Sequence, residues 1–212
     1  MEAILEAFNE SKLLSKCIIC GSWSMYFYQY IFSGFIPPIA TTDIDIFLPD
    51  IKHMPCSKLD FLFKKRNYYR NDDLLSGKTI FFSKNGFEIE FLTSSRRDYK
   101  DVIYIKELGV GVETLTKLDI LKTNYISIKY KDMNINIPSP TTYCIQKILV
   151  IKSRTKDKIL KDVWSIRYVL NFVNASHKYR HEFLIIFNAL PKRWKKEIID
   201  NANTYSIDIP ND

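Results

Sequence analysis

The chain has 212 residues, 46% hydrophobic and 14% aromatic, which excludes a disordered or fibrous chain and allows one large domain or two small ones, each with a substantial core. No run approaches the roughly eighteen uninterrupted apolar residues of a membrane span, and MEAILEAFNESK carries acids where a signal peptide carries bases, so the sequence predicts a soluble, cytoplasmic protein with no membrane partner. The formal charge of +7, from 31 Lys+Arg against 24 Asp+Glu, favours polyanionic ligands without separating a triphosphate from a nucleic acid.

In chain order, Ile4, Leu5, Phe8, Leu13 and Leu14 recur at helical intervals and predict a packing helix before the first strand. Cys17–Cys20 is an apolar strand followed by Gly21-Ser22, and Trp23–Phe32 is long enough for a helix, ended by Gly34 and by Pro37-Pro38. Strand, glycine turn, helix is an arrangement in which backbone N–H groups can approach phosphate. The chain then returns through Thr41-Thr42 to Asp43-Ile44-Asp45-Ile46. Alternation in a strand puts Asp43 and Asp45 on one face, and paired carboxylates call for a hard divalent cation or full solvation.

The Cys17-x-x-Cys20 spacing does not predict zinc or redox chemistry: in a strand the two thiols face opposite sides, and no second Cys/His pair follows. Cys17, Cys20, Cys56 and Cys144 are expected to be free, buried thiols. Ser57–Asn67 reads as a helix with a basic last turn, Lys64-Lys65-Arg66. Tyr68–Arg70 and Lys78–Phe82 read as strands around a turn, and Lys84-Asn85-Gly86 is a hairpin signal leading into Glu88-Ile89-Glu90-Phe91-Leu92-Thr93. Tyr68 and Tyr69 beside Arg70 are read as strand filling rather than a base-stacking surface, and His53, His177 and His181 receive no catalytic role.

Tyr125–Ile137 alternates around a turn at Lys131-Asp132, predicting a hairpin or sheet extension, and Pro138 and Pro140 mark a boundary. From Thr141 the periodicity is helical, with final helices around Phe183–Leu190 and Trp194–Ile199, and Tyr205–Asp212 reads as a tail. The expected division is an α/β part at 1–140 and a helical part at 141–212.

Gly21-Ser22 after an apolar strand, a helix, and then Asp43-Ile44-Asp45 on a strand resemble the nucleotidyltransferase superfamily of the DNA polymerase β type. Nearest in pattern are small stand-alone members, including toxins of abortive-infection systems. The resemblance implies an α+β minimal nucleotidyltransferase fold with a mixed sheet, followed by a C-terminal helical domain. It implies that Glu90, in Ile-Glu-Phe-Leu-Thr, is a third carboxylate, with Glu88 as the alternative. Asp43, Asp45 and Glu90 would be catalytic and would ligate two Mg²⁺ ions, and Gly21, Ser22 and Thr42 would contact the nucleotide. The order Lys147, Arg154, then Lys161-Asp162 matches the family's helical half and implies cations facing the triphosphate, with Asp162 orienting one of them. Relatives often carry Arg where this chain has Ile39. The implied function is transfer of a nucleoside monophosphate from an NTP to an acceptor hydroxyl or phosphate. The alternative is a catalytically weakened nucleotide- or RNA-binding module of the same fold. The acceptor stays open among tRNA or other RNA, a protein and a small molecule, and the NTP among ATP, CTP, GTP and UTP.

Overall fold

In the computed structural model, which describes residues 2–37, 41–57, 59–95 and 101–211, the chain opens with α1 (Glu2–Glu10). It buries Ile4, Leu5 and Phe8, as the periodicity requires. Next, β1 (Ile18–Cys20) is buried at every position, which is why it reads as a continuous apolar run. A single turn of 3-10 helix at Gly21–Trp23 leads into α2 (Ser24–Tyr28), much shorter than the helix expected over Trp23–Phe32. After Tyr28 the backbone tightens, with Tyr30 N bonding Phe27 O at 3.0 Å and Ile31 N bonding Tyr28 O at 2.9 Å, and Gly34 at φ 75° completes the stop. Burial of Phe27 and Tyr28 holds α2 in place, and the Tyr28 hydroxyl donates to Pro138 O at 3.1 Å.

After β2 (Asp43–Phe47) come α3 (Leu59–Lys65), β3 (Tyr68–Asp72), β4 (Thr79–Ser83), β5 (Glu88–Ser94), β6 (Val102–Ile105) and β7 (Val110–Leu115). The strands β1 to β7 form one mixed sheet in the order β1-β2-β5-β4-β3, with β7 also on β5 and β6 beyond β7. The fifth strand is its centre: β2 runs parallel to it on one edge, and the other edge is shared by β4 (antiparallel, at Glu88–Glu90) and β7 (parallel, at Leu92–Ser94). Phe8, Phe63, Phe81 and Phe91 pack edge-on or tilted against one another beneath it. Tyr68 is part of this core, and Arg70 bonds Asp72 at 2.7 Å, in keeping with strand filling.

The hairpin of β8 (Tyr125–Tyr130) and β9 (Met133–Pro138) turns at Lys131, whose φ is 54°. It is a separate two-stranded sheet rather than an extension of the first, and it is tied to the residue just before β1 by the Asn136 amide donating to Cys17 O at 3.3 Å. Ser139 caps α4 (Pro140–Val150) by accepting from Thr142 N, with Pro140 at the first helical position. Then follow α5 (Lys156–Ala175), α6 (His177–Ala189) and α7 (Lys192–Thr204). The segment after α7 is not a loose tail. Ile207 is buried, Arg167 donates to Tyr205 O at 2.6 Å, and Arg180 donates to Asn211 O at 2.8 Å. No described helix is long and apolar enough to cross a membrane. Cys17, Cys20 and Cys144 are buried free thiols, whereas Cys56 is exposed.

Candidate active site

A cleft of about 510 Å³ opens between the sheet and the helices α4 and α5. It is lined by Gly21, Ser22, Asp43, Asp45 and Glu90 on the sheet side and by Lys147, Arg154, Lys161 and Asp162 on the helical side. A smaller cavity of about 120 Å³, near His53 and Asp50, contains none of the predicted residues.

The sheet register builds the acidic wall. Asp45 stands opposite Cys20 on β1 and Glu90 on β5, while Asp43 stands opposite Glu88. Ile44, Ile46 and Phe47 are buried, so the alternation that sends Ile44 and Ile46 into the core turns Asp43 and Asp45 toward the cleft. Glu90 lines the cleft and is half-buried; Glu88 is exposed and does not line it. Gly21 makes room for an acid of the site. Its φ is +63°, and a Cβ placed there would lie 2.0 Å from Asp45 Oδ2, so the absence of a side chain makes room for that carboxylate.

The Asp45 carboxyl is strongly perturbed. Burial pushes its carboxyl up to about 6 from 3.8; Lys147 and Arg154 oppose the rise, and the charges of Glu90 and Asp43 add to it. Thr42 donates to Asp43 Oδ1 at 3.3 Å but is exposed, and Thr41 rather than Thr42 lines the cleft while accepting from Asp43 N at 3.4 Å. Ile39 lies outside the described residues.

On the helical wall, Lys147 of α4 donates to Asp162 Oδ1 of α5 at 2.7 Å, and Arg154 donates to Asp162 Oδ2 at 3.1 Å. Lys147 and Asp162 are both buried, and Asp162 orients both cations. The Tyr143 hydroxyl bonds Ser165 Oγ at 3.0 Å, and Ser165 donates to Asp162 O, stiffening the join between the two helices. Lys161 is half-buried at the cleft wall.

A family model described as nucleotidyltransferase matches residues 1–186. The chain belongs to the nucleotidyltransferase family. No curated protein matches it. Among solved structures, this nucleotidyltransferase is similar to an antigenic nucleotidyltransferase-like protein from Paracoccidioides brasiliensis, at 12% identity and a TM-score of 0.46 over 99% of this chain and 94% of the other. It is also similar to the antibiotic-resistance factor ANT(2'')-Ia, at 10% identity and a TM-score of 0.49 over 96% and 95%.

Two residues of the nucleotidyltransferase cleft were not singled out from the sequence. Lys78 donates to Glu90 Oε2 at 2.8 Å and to Glu113 Oε2 at 2.7 Å. Burial alone would lower the Lys78 pKa, but the hydrogen bonds to Glu113 and Glu90 outweigh it and hold it above the ordinary value. The available signal was the alternation of Glu113 within Val110–Leu115, which puts a second acid on a neighbouring strand.

As a metal site, the donor set is oxygen only, which suits a hard divalent cation, and Asp45 is an acid whose burial and acidic neighbours such a cation would compensate. Among the described residues no three acid, His or Cys groups already converge on one metal position. Asp43 and Asp45 share one strand face at the cleft, and Glu90 is engaged by Lys78.

Proposed function

We propose that the protein transfers a nucleoside monophosphate from an NTP to an acceptor hydroxyl or phosphate, with residues 1–140 carrying the acids and residues 141–212 closing the triphosphate side. The observation that supports this reading best is the placement of Asp45. It is seated against side-chain-free Gly21 and in register with Glu90, facing a cleft whose opposite wall is cationic.

In this reading Asp43 and Asp45 hold divalent metal, Mg²⁺ by its hardness, and Glu90 completes the set. The bound metal supplies Lewis-acid polarisation of the α-phosphate. Gly21 and Ser22 lie beside the β- and γ-phosphates. Glu90 draws the proton from the acceptor oxygen as that oxygen bonds to the α-phosphorus and the bond to the bridging oxygen breaks. Negative charge moves onto the leaving pyrophosphate. Lys161, with Lys147 and Arg154 held ready by Asp162, faces that charge without needing to reorganise.

The test is incubation of the pure protein with each α-labelled NTP, Mg²⁺ and, separately, total RNA, a protein fraction and a small-molecule fraction. Label entering one pool, lost in Asp43→Asn with Asp45→Asn, is expected. No label in any pool, together with Mg²⁺-independent NTP binding, would refute the reading.

A further inference from the structure

Four carboxylates, Asp43, Asp45, Glu90 and Glu113, line the sheet side of the cleft, and one lysine stands between two of them. Lys78 is not a pendant surface lysine. Its side chain is 17% exposed, against 23% for Glu90 and 12% for Glu113. The turn that carries it is fastened at several points. Asp73 Oδ1 accepts from Leu75 N at 2.8 Å and from Ser76 N at 2.9 Å, and Asp73 N bonds Lys78 O at 2.9 Å. The turn also lies directly on β7: a Cβ on Gly111 would be 1.9 Å from Gly77 O, and Gly111 N donates to Thr79 Oγ1 at 2.9 Å. The fold thus sets aside a glycine on β7 to let this turn deliver an ammonium group to the two acids.

We propose that Lys78 is a built-in counter-cation of the carboxylate site, a positioning residue that holds Glu90 and Glu113 while the metal position is empty and gives up Glu90 as a divalent cation is taken up. The proposal rests on the reading of Asp43, Asp45 and Glu90 as the metal-binding acids. Lys147 and Arg154, also close to Asp45, are bonded to Asp162, so among the described residues Lys78 is the cation directed at Glu90. An ammonium group bonded to Glu90 and a divalent cation on the same carboxylate repel one another, and the two binding events are linked.

The experiment is calorimetric titration of the full chain with Mn²⁺ in the absence of nucleotide, paired with melting curves with and without Mn²⁺. Lys78→Met keeps the apolar stem and removes the charge. It should bind Mn²⁺ about tenfold or more tightly than the unaltered protein, within the usual range of such couplings. It should also melt at a lower temperature without the cation and recover with it. Lys158→Met removes the same charge from an exposed position of the same cleft and should change Mn²⁺ affinity less than about twofold. If Lys78→Met fails to fold, Glu113→Gln supplies the test with opposite sign: Lys78 then concentrates on Glu90, and Mn²⁺ binding weakens. Unchanged or weaker Mn²⁺ binding in a folded Lys78→Met, or an equal gain in Lys158→Met, would overturn the proposal while leaving the metal site in place. Mn²⁺ binding that survives Asp43→Asn with Asp45→Asn would instead overturn the metal-site reading, and the proposal with it.

Discussion

Replacing Asp45 with Asn should stabilise the metal-free protein, and by an amount that depends on pH. In the fold the Asp45 carboxyl is pushed up to about 6 from 3.8, foremost by burial, so the folded state holds its proton more tightly than the unfolded chain. The sign follows from linkage. Below the unfolded value the group is protonated in both states and does not affect stability; as pH rises through the window from 3.8 to about 6, the unfolded chain ionises first and stability falls; above it the penalty is complete. At about 1.4 kcal/mol per tenfold change in proton affinity, that penalty is about 3 kcal/mol. For a chain of this length it corresponds to roughly 6–12 °C in melting temperature. Urea unfolding of the wild-type and Asp45→Asn proteins, in chelator and at pH values from 4 to 8, should therefore give nearly equal stabilities at the acid end. A gap favouring the variant should open as pH rises. Adding Mg²⁺ at pH 8 should narrow it, because only the wild type gains a ligand. A variant less stable than the wild type at pH 8 in chelator, or a gap independent of pH, would refute the reasoning.

The remaining expectations concern neighbouring groups. Gly21→Ala should cost about 1–2 kcal/mol for the left-handed backbone alone and should displace Asp45 from its seat, which calorimetry would register as weakened Mg²⁺ binding; an affinity equal to wild type would mean that Gly21 does not place Asp45. Glu90→Gln should lower Mg²⁺-dependent nucleotide turnover by about 100-fold or more, whereas exposed Glu88→Gln should leave it nearly unchanged; the reverse order would move the third carboxylate to Glu88. Lys147→Met leaves buried Asp162 with Arg154 alone and should destabilise by about 3 kcal/mol in urea unfolding, an effect that Asp162→Asn in the same background should reduce. Neutralising Lys147, Arg154 and Lys161 together should weaken binding of a non-hydrolysable NTP far more than neutralising Lys192, Arg193 and Lys195; equal losses in calorimetry would reduce the helical wall to background charge.

Much of the acidic wall was legible because it is local. Asp43-Ile44-Asp45-Ile46 declares both its strand and its two faces, and Gly86–Thr93 does the same for β5, but alternation puts Glu88 and Glu90 on one face and only the resemblance favoured Glu90. The order of Lys147, Arg154 and Asp162 was readable only through the family resemblance; the fold puts Lys147 on α4, Asp162 on α5 and Arg154 in the short connection between them. What was hidden depended on the path of the sheet. Lys78 meets Glu113 only because β5 is flanked on one edge by both β4 and β7, and no spacing in the sequence encodes that. The length of α2 was overestimated because Tyr30, Ile31 and Phe32 continue an apolar pattern while the backbone has already tightened into turns. The C-terminal segment looked polar enough to be loose, yet its carbonyl groups are taken by Arg167, Asn174 and Arg180 on α5 and α6.

The central strand has a consequence for motion. Glu90 sits where β5 is bonded along both edges, by β2 and by β4, so its backbone can exchange amide hydrogens only when the sheet itself opens. The helical wall joins through Ile151–Ser153, Arg154 and Thr155, a short connection with Ser153, Arg154 and Thr155 exposed. That connection and the central strand of the same cleft therefore stand at opposite ends of the exchange scale. A nucleotide entering the cleft should leave the protection of the Asp43–Phe47 and Glu88–Ser94 amides almost as it was and slow exchange chiefly between Ile151 and Thr155, so that binding is read at the connection rather than at the sheet.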